Sequence, residues 1–290
     1  MKYVITIGNF DGLHIGHKKI ISHAVNMAND LGAKSRLITF KTHTRAIGNL
    51  ILDHDDKIRM IKSMKINEIV ELDFDEIKSM TPIEFMDQFF EDAVGIVVGE
   101  DFCFGKNRSG NADDLKIYGA NHNINVDIVK DITDDNSKVS SSTIRELIKI
   151  GDVYKASKLL GYNFYVCSTI EDGYKRGQTL GFKTANISWP ENIIKPKYGV
   201  YYTQMEIDGK IYDSMTMSGV AKTFNKDYSC ETYIFNFDQD IYQKSVKLIF
   251  RDFLRENKKF DSKEELIEQL KKDKINSIET AVRLNNGFTK

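Results

Sequence analysis

The 290-residue sequence predicts two domains of different class. The first is an α/β domain, a parallel sheet with helices on both faces; the second is a small antiparallel β-barrel with a C-terminal helix. Three observations predict this. Short apolar, β-branched strings alternate with amphipathic helical stretches in the first half, which is the spacing of βαβ units. Beyond about residue 161 the pattern changes to short strands at regular intervals, as in an antiparallel barrel. The length also suits two domains of ordinary size, each with its own core. The change of pattern sets the domains at 1–161 and 162–290; no repeat or low-complexity linker marks the boundary.

Each element follows from its residues. "YVITI" at 3–7 is a buried strand. In "HKKIISHAVNMANDLG", Ile21, Ala24, Val25 and Ala28 share one helical face, and Gly32 stops the helix. "KSRLITF" is the next strand, "DHDDKIRMIKSM" a helix and "NEIVELDF" a strand. Thr81-Pro82 opens a helix as N-cap and first-turn residue. "AVGIVVGEDF" is a strand that runs into a loop. "SSSTIRELIKIGDVYKASKLLG" is helical, with Thr143 and Glu146 spaced as a capping box. The barrel strands are "FYVCSTIEDG", "TANISW", "GVYYTQMEIDGKIYDSMTMSG", "SCETYIFNFDQD" and "SVKLIFRDFL". Asp208-Gly209 at the tip of the longest is a hairpin signal. "DSKEELIEQLKKD" closes the chain as a helix with a Ser262–Glu265 capping box.

Composition narrows the function classes. The apolar fraction of 41% and charged fraction of 29% are those of a soluble globular protein. A formal charge of −1 gives no global field toward nucleic acid or an acidic membrane, so neither is expected as a partner. Cys103, Cys167 and Cys230 are scattered and odd in number, which argues against a disulfide framework and for a reducing cytoplasmic setting. The N-terminus lacks the apolar run of a signal peptide, and no run approaches the length of a membrane span.

The chemistry concentrates in "ITIGNFDGLHIGHKKI". His14 and His17 stand on one turn, fed by a strand and a glycine-punctuated loop. A zinc pair on a helix usually sits at i,i+4 with a glutamate between, and a third ligand is not evident. A plain helix start explains one histidine better than two. A strand-to-helix junction aims free N–H groups and the positive dipole end at a ligand above it. Gly8, Gly12 and Gly16 permit close backbone approach. Histidines there can donate hydrogen bonds to phosphate oxygens as charge develops. No Gly-Lys-Ser/Thr follows, so this is not a Walker A loop; attack at an α-phosphate with pyrophosphate leaving suits it.

A literal "HIGH" is also the ATP signature of class I aminoacyl-tRNA synthetases, but "KSMKI" and "KSMTP" lack their second, lysine-rich pattern. The resemblance that covers nearly the whole chain is to the prokaryotic bifunctional riboflavin kinase/FAD synthetase family. Its blocks are "GNFDGLHIGH", "VVGEDFCFGKNRSGN" at 97–111 and "VSSSTIRELIKIGDVYKASKLLG" at 139–161. The resemblance implies a Rossmann-like nucleotidyltransferase domain that transfers AMP from ATP to FMN, giving FAD and pyrophosphate. By it, His14 and His17 line the triphosphate, and Gly8, Asn9, Phe10, Asp11, Gly12 and Gly16 shape the nucleotide loop. Asp101 and Phe102 lie at the flavin side. Ser140, Ser141, Ser142 and Arg145 close on the phosphates, where a guanidinium fork suits oxygen anions. A helix N-cap is the bland reading of "SSSTIR". Two departures occur: Ser142 stands where threonine is usual, and "FKTHT" keeps His43 but lacks both prolines of the family's string.

"DGYKRGQTLGFKTANIS" resembles the riboflavin kinase block. Carried over, Thr184 and Asn186 hold Mg2+ with ATP, Gly177 and Lys183 belong to the ATP loop, and Glu231 is the base that takes the ribityl hydroxyl proton. Arg255 and Phe260 fall at the flavin side. The departures here are heavier. Lys183 replaces the proline before Thr184 and removes its fixed φ. "MSGVAKTFN" lacks the family's arginine, and Gln243 stands where glycine is usual. Lys183 or Lys222 supplies compensating charge, or these changes mark a decayed site. Three readings therefore stand: a bifunctional enzyme, a monofunctional FMN adenylyltransferase with a degenerate kinase domain, and a non-catalytic flavin- or nucleotide-binding regulator. The first is favoured, with small-molecule substrates (ATP, FMN and riboflavin) and a monomer or weak homo-oligomer expected.

Overall fold

The structure, a computed structural model, describes residues 1–41, 49–134, 137–171, 182–220 and 228–287. His43, Gly177 and Lys222 lie outside the described residues. The chain divides into two compact units, Met1–Thr143 and Ile144–Lys290.

Unit 1 is built on β1 (Tyr3–Ile7), α1 (Ile15–Asp30), β2 (Lys34–Phe40), α2 (His54–Ser63), β3 (Glu68–Leu72), α3 (Phe74–Ile77), α4 (Pro82–Phe90) and β4 (Ala93–Gly99). There follow β5 (Cys103–Phe104), β6 (Gly110–Asn111), α5 (Ala112–His122), β7 (Asn125–Val129), β8 (Thr133–Asp134) and β9 (Ser137–Lys138). The five long strands are parallel in the order β3-β2-β1-β4-β7. Alternation along β1 gives the sheet two packed faces. Val4 meets Ala24 and Ala28 of α1 with Val97 and Val129, while Ile5 and Ile7 join Phe85 and Phe90 of α4 and Leu115 and Tyr118 of α5. Chain order reverses between β1 and β4, so the crevice at their carboxyl ends is where ligands bind in such sheets. Gly32, at φ +60°, ends α1 as expected.

Unit 2 receives α6 (Ser141–Ile150), which spans the division, and holds α7 (Val153–Leu160), β10 (Tyr165–Glu171), β11 (Thr184–Ile187), β12 (Gly199–Ile207), β13 (Lys210–Gly219), β14 (Ser229–Ile234), β15 (Ser245–Arg255) and α8 (Lys263–Gly287). The six strands close into a barrel, β10-β11-β14-β13-β12-β15. The division falls earlier than the change of sequence pattern because α7 packs on the barrel: its Tyr154 joins Leu254, Tyr202 and, from α8, Ala281 and Leu284. The barrel interior is aromatic at Phe164, Tyr201 and Phe250, all fully buried. It also holds a hydroxyl chain: Thr203 bonds Ser214 and Thr216, and Thr216 bonds Thr232, each at 2.8 Å. Mutual bonding removes the cost of burying these groups.

Two caps differ from the reading by spacing. The Ser140 hydroxyl, not Thr143, caps α6, accepting the Thr143 N–H at 3.2 Å. At α8 Ser262 accepts from the Glu265 N–H at 3.1 Å, and Glu265 reaches back to the Asp261 N–H rather than that of Ser262. The structure also adds α5 and β7, which the sequence reading did not separate.

Candidate active site

In unit 1 the signature loop leaves the carboxyl end of β1 and turns into α1 through backbone that few residues tolerate. Phe10, Gly12 and Leu13 all have positive φ, at 52°, 72° and 35°. Such strain persists where surroundings hold it, and it clusters at functional sites. Here the hold is visible. Asp11 is buried and accepts the Ile51 N–H at 3.1 Å, while Ser141 donates to the Asp11 carbonyl at 2.9 Å. At Gly12 a Cβ would meet Ile51 at 3.0 Å, in addition to the φ it requires.

His14 is the N-cap of α1. Its Nδ1 accepts the His17 N–H at 3.3 Å, so the neutral ring carries its proton on Nε2. The two imidazoles stack with centroids 3.6 Å apart and planes 21° apart, and Phe10 meets His17 edge-on at 5.3 Å. Gly16 makes room: a Cβ there would lie 3.1 Å from the His14 ring. Burial pulls the His14 pKa down to about 4, with Asp101 opposing and Lys138 and Lys18 assisting. Burial, then His14 and Lys57, hold His17 well below its ordinary value. Both rings are therefore neutral at physiological pH. Stacked neutral rings, one with Nδ1 committed to its own helix, are arranged as N–H donors and not as convergent metal ligands.

Asp101 stands beside this pair through Lys138, whose Nζ lies 2.8 Å from Asp101 and 2.6 Å from Asp131. Partial burial lowers the Lys138 pKa, but the two carboxylates outweigh it and raise it. Phe102 packs elsewhere, stacked on Phe104 at 5.5 Å along the core's edge. Ser142 and Arg145 lie on α6, Arg145 just past the division between units. Two basic residues here were not singled out in the sequence. Lys138 immediately precedes "VSSSTIR", which was a signal. Lys57 had none beyond its place in the first turn of α2.

In unit 2 the strand register assembles the second set. β11 pairs β14 antiparallel with Asn186 directly opposite Glu231 and Thr184 opposite Tyr233. Ala185 and Ile187, like Cys230 and Thr232, are buried, so Thr184, Asn186 and Glu231 share the other, half-buried face. Thr184 and Lys183 line a shallow, open cleft with Ile234, Phe237, Ile241 and Tyr242. Lys183 lies 3.9 Å from Asp238 at the surface. Arg255 and Phe260 are not part of this cluster. Arg255 sets its fork on buried Asp273 at 2.8 and 2.6 Å, tying β15 to α8. Phe260 lies under the Lys258 ammonium, 5.5 Å from the ring centroid.

Comparison with known proteins matches both units. The FAD synthetase family model matches residues 1–143 and the riboflavin kinase model residues 160–280. The bifunctional riboflavin kinase/FMN adenylyltransferase of Bacillus subtilis is 32% identical, the match covering 96% of this chain and 92% of that protein. The protein of the same description from Listeria monocytogenes is 32% identical over 93% of this chain and 90% of its own. A solved structure from Streptococcus pneumoniae, described as a macrolide-efflux protein, superposes with a TM-score of 0.87 at 32% identity, covering 95% of this chain and 94% of that one. Among the described residues no helix is long and apolar enough to cross a membrane.

Proposed function

The chain belongs to the bifunctional riboflavin kinase/FMN adenylyltransferase family, and we propose that the residues placed above perform its two reactions. It phosphorylates riboflavin to FMN and adenylylates FMN to FAD, with ATP as donor in both steps. For adenylyl transfer, an FMN phosphate oxygen attacks the α-phosphorus of ATP and pyrophosphate leaves. The loop of residues 8–12 and Gly16 cradles the nucleotide. His14 Nε2–H and the His17 ring donate to phosphate oxygens as negative charge builds on the leaving group. Ser140, Ser141, Ser142 and Arg145 close on the phosphates; Asp101 is assigned to the flavin side, and Phe102, stacked on Phe104, is assigned there by the family resemblance alone. Because one motif carries Ser140 and Arg145 together, the functional division is placed at 161 rather than inside α6.

For the kinase reaction, Glu231 takes the proton of the ribityl 5′-hydroxyl as that oxygen attacks the γ-phosphorus. Thr184 and Asn186 offer a hydroxyl and a carboxamide oxygen on the same face, and Lys183 borders the same cleft, with Gly177 assigned to the ATP loop. This donor set is hard and incomplete, and so fits Mg2+ that arrives with ATP and keeps water and phosphate oxygens as its other ligands. When bound, Mg2+ would offset the negative charge of the phosphoryl group in transfer, with Thr184 and Asn186 as the residues that would hold it. Arg255 and Phe260 are assigned to the flavin side, Arg255 through the Asp273 pair that holds the end of β15.

The observation that carries the bifunctional reading over the monofunctional one is the Asn186–Glu231 register, which keeps ligand and base adjacent despite Lys183. The test is incubation of the purified chain with Mg–ATP and either riboflavin or FMN, with flavins resolved chromatographically. FMN from riboflavin and FAD from FMN are expected. FAD from FMN without any FMN from riboflavin would establish the monofunctional alternative; no product from either would leave a regulator.

A further inference from the structure

Lys57 presents a charge that local folding does not explain. It sits in the first turn of α2 and is only 6% exposed. Its Nζ donates to the Asn9 carbonyl at 3.3 Å, the Thr39 hydroxyl at 3.2 Å and the Phe40 carbonyl at 3.3 Å. Three N–H groups meet three acceptors, all of them neutral. Among the described residues no carboxylate lies within ion-pair distance of Lys57. Burial lowers its pKa, and Asp11 and Glu71 offset this only from a distance. Asp11 accepts the Ile51 N–H, and Glu71 lies 2.7 Å from the His54 ring rather than beside Lys57.

A buried ammonium held by neutral oxygens alone is costly. Tying two strand ends together needs only a neutral donor. An anion bound across the signature turn accounts for the charge. The same contacts orient that turn. A trans peptide points its C=O and the next N–H in opposite directions. Holding the Asn9 oxygen toward Lys57 and Thr39, which also donates to it at 3.3 Å, aims the Phe10 N–H away from Lys57. The charge of Lys57 also acts on His17.

We propose that Lys57 is a positioning residue for adenylyl transfer: a sealed counter-charge for the ATP triphosphate that also fixes the turn donating to it. This rests on the reading of the 8–17 loop as the ATP site. The groups facing His17 are His14 and Lys57, and those facing His14 are Asp101, Lys138 and Lys18.

The test compares Lys57→Met and Lys57→Arg in the full chain, with riboflavin phosphorylation by the same preparation as the control for unit 2. Lys57→Met is expected to raise the KM for ATP about tenfold, the size of one lost charge–charge attraction through the turn, with the KM for FMN unchanged. The acidic limb of kcat/KM should move to higher pH, because His17 loses a repelling cation. Affinity should fall more for ATP than for AMP, and Lys57→Arg should recover most of the loss. If Lys57→Met loses the melting transition of unit 1, Lys57→Gln, a donor without charge, makes the same comparison. Equal weakening of ATP and AMP, or an unmoved acidic limb with Met and Arg equally impaired, would overturn the inference and leave Lys57 a structural tie. A wild-type chain that forms no FAD would overturn the reading of the site, and the inference with it.

Discussion

His14 and His17 show how a site can be chemically poised and energetically costly at once. An imidazole whose folded pKa lies below its unfolded value favours the unfolded chain once protons bind. Unit 1 therefore has its full stability above pH 6.5 and loses the His14 contribution progressively as pH falls from 6.5 to about 4. Between pH 7.5 and 4.5 that single group should account for about 2 kcal/mol. His14→Asn, which keeps an N-cap oxygen, should lose correspondingly less stability than wild type over this interval in urea melts. His17→Ala should abolish FAD formation while leaving FMN formation from riboflavin intact, assayed on one preparation; loss of both would show that the two sites are not independent. A second residue, Gln243, carries a cost without evident chemistry. It holds φ 60° while its N–H bonds the Ile170 carbonyl at 3.0 Å. Gln243→Gly should stabilise the barrel by about 1 kcal/mol, because glycine enters the left-handed region without a Cβ clash.

At the scale of elements, the barrel face depends on register and on the anchoring of its last strand. A one-residue slip of β11 would send Thr184 and Asn186 inward and Ala185 outward, so the buried Ala185 and Ile187 enforce the pairing with Glu231. Glu231→Gln should thus remove FMN formation without disturbing the barrel melt or FAD formation from added FMN. The Arg255–Asp273 fork anchors β15 to α8, with Gln269 as a further donor to Asp273 at 2.8 Å. Asp273 is fully buried, and removing one partner of a buried pair strands the other. Asp273→Asn should cost about 3 kcal/mol in unit 2, read as a lower melting temperature of the kinase activity. What was legible follows the same division. Strands such as "YVITI" and the hairpin at Asp208-Gly209 declare themselves by local pattern, and the 8–17 loop is legible because its members are neighbours in sequence. α5 was missed because only Leu115, Tyr118 and a few small residues form its buried face, although Asn111 and Asp114 were spaced as a capping box. Lys57 and Lys138 were missed because a lysine in a polar helix or before a hydroxyl run looks like surface until the tertiary fold buries or pairs it. Arg255 could not be separated from Asp273 without the packing of α8.

At the scale of the whole molecule, the two reactions are sequential and share one intermediate, since the FMN made by the kinase reaction is the substrate of adenylyl transfer. His14 and His17 on one side and Glu231 on the other belong to separate compact units with their own cores. FMN should therefore pass through solution, and the two reactions should complement between chains. His17→Ala makes FMN and stops; Glu231→Gln cannot start from riboflavin but can finish from FMN. Neither variant alone should yield FAD from riboflavin and Mg–ATP, whereas an equimolar mixture should do so after a lag in which free FMN accumulates. The lag should shorten as the concentration of His17→Ala is raised, because its product must build up before the second site is supplied. A mixture that gives no FAD, when each variant retains its own half-reaction, would show that FMN is handed on within a single chain.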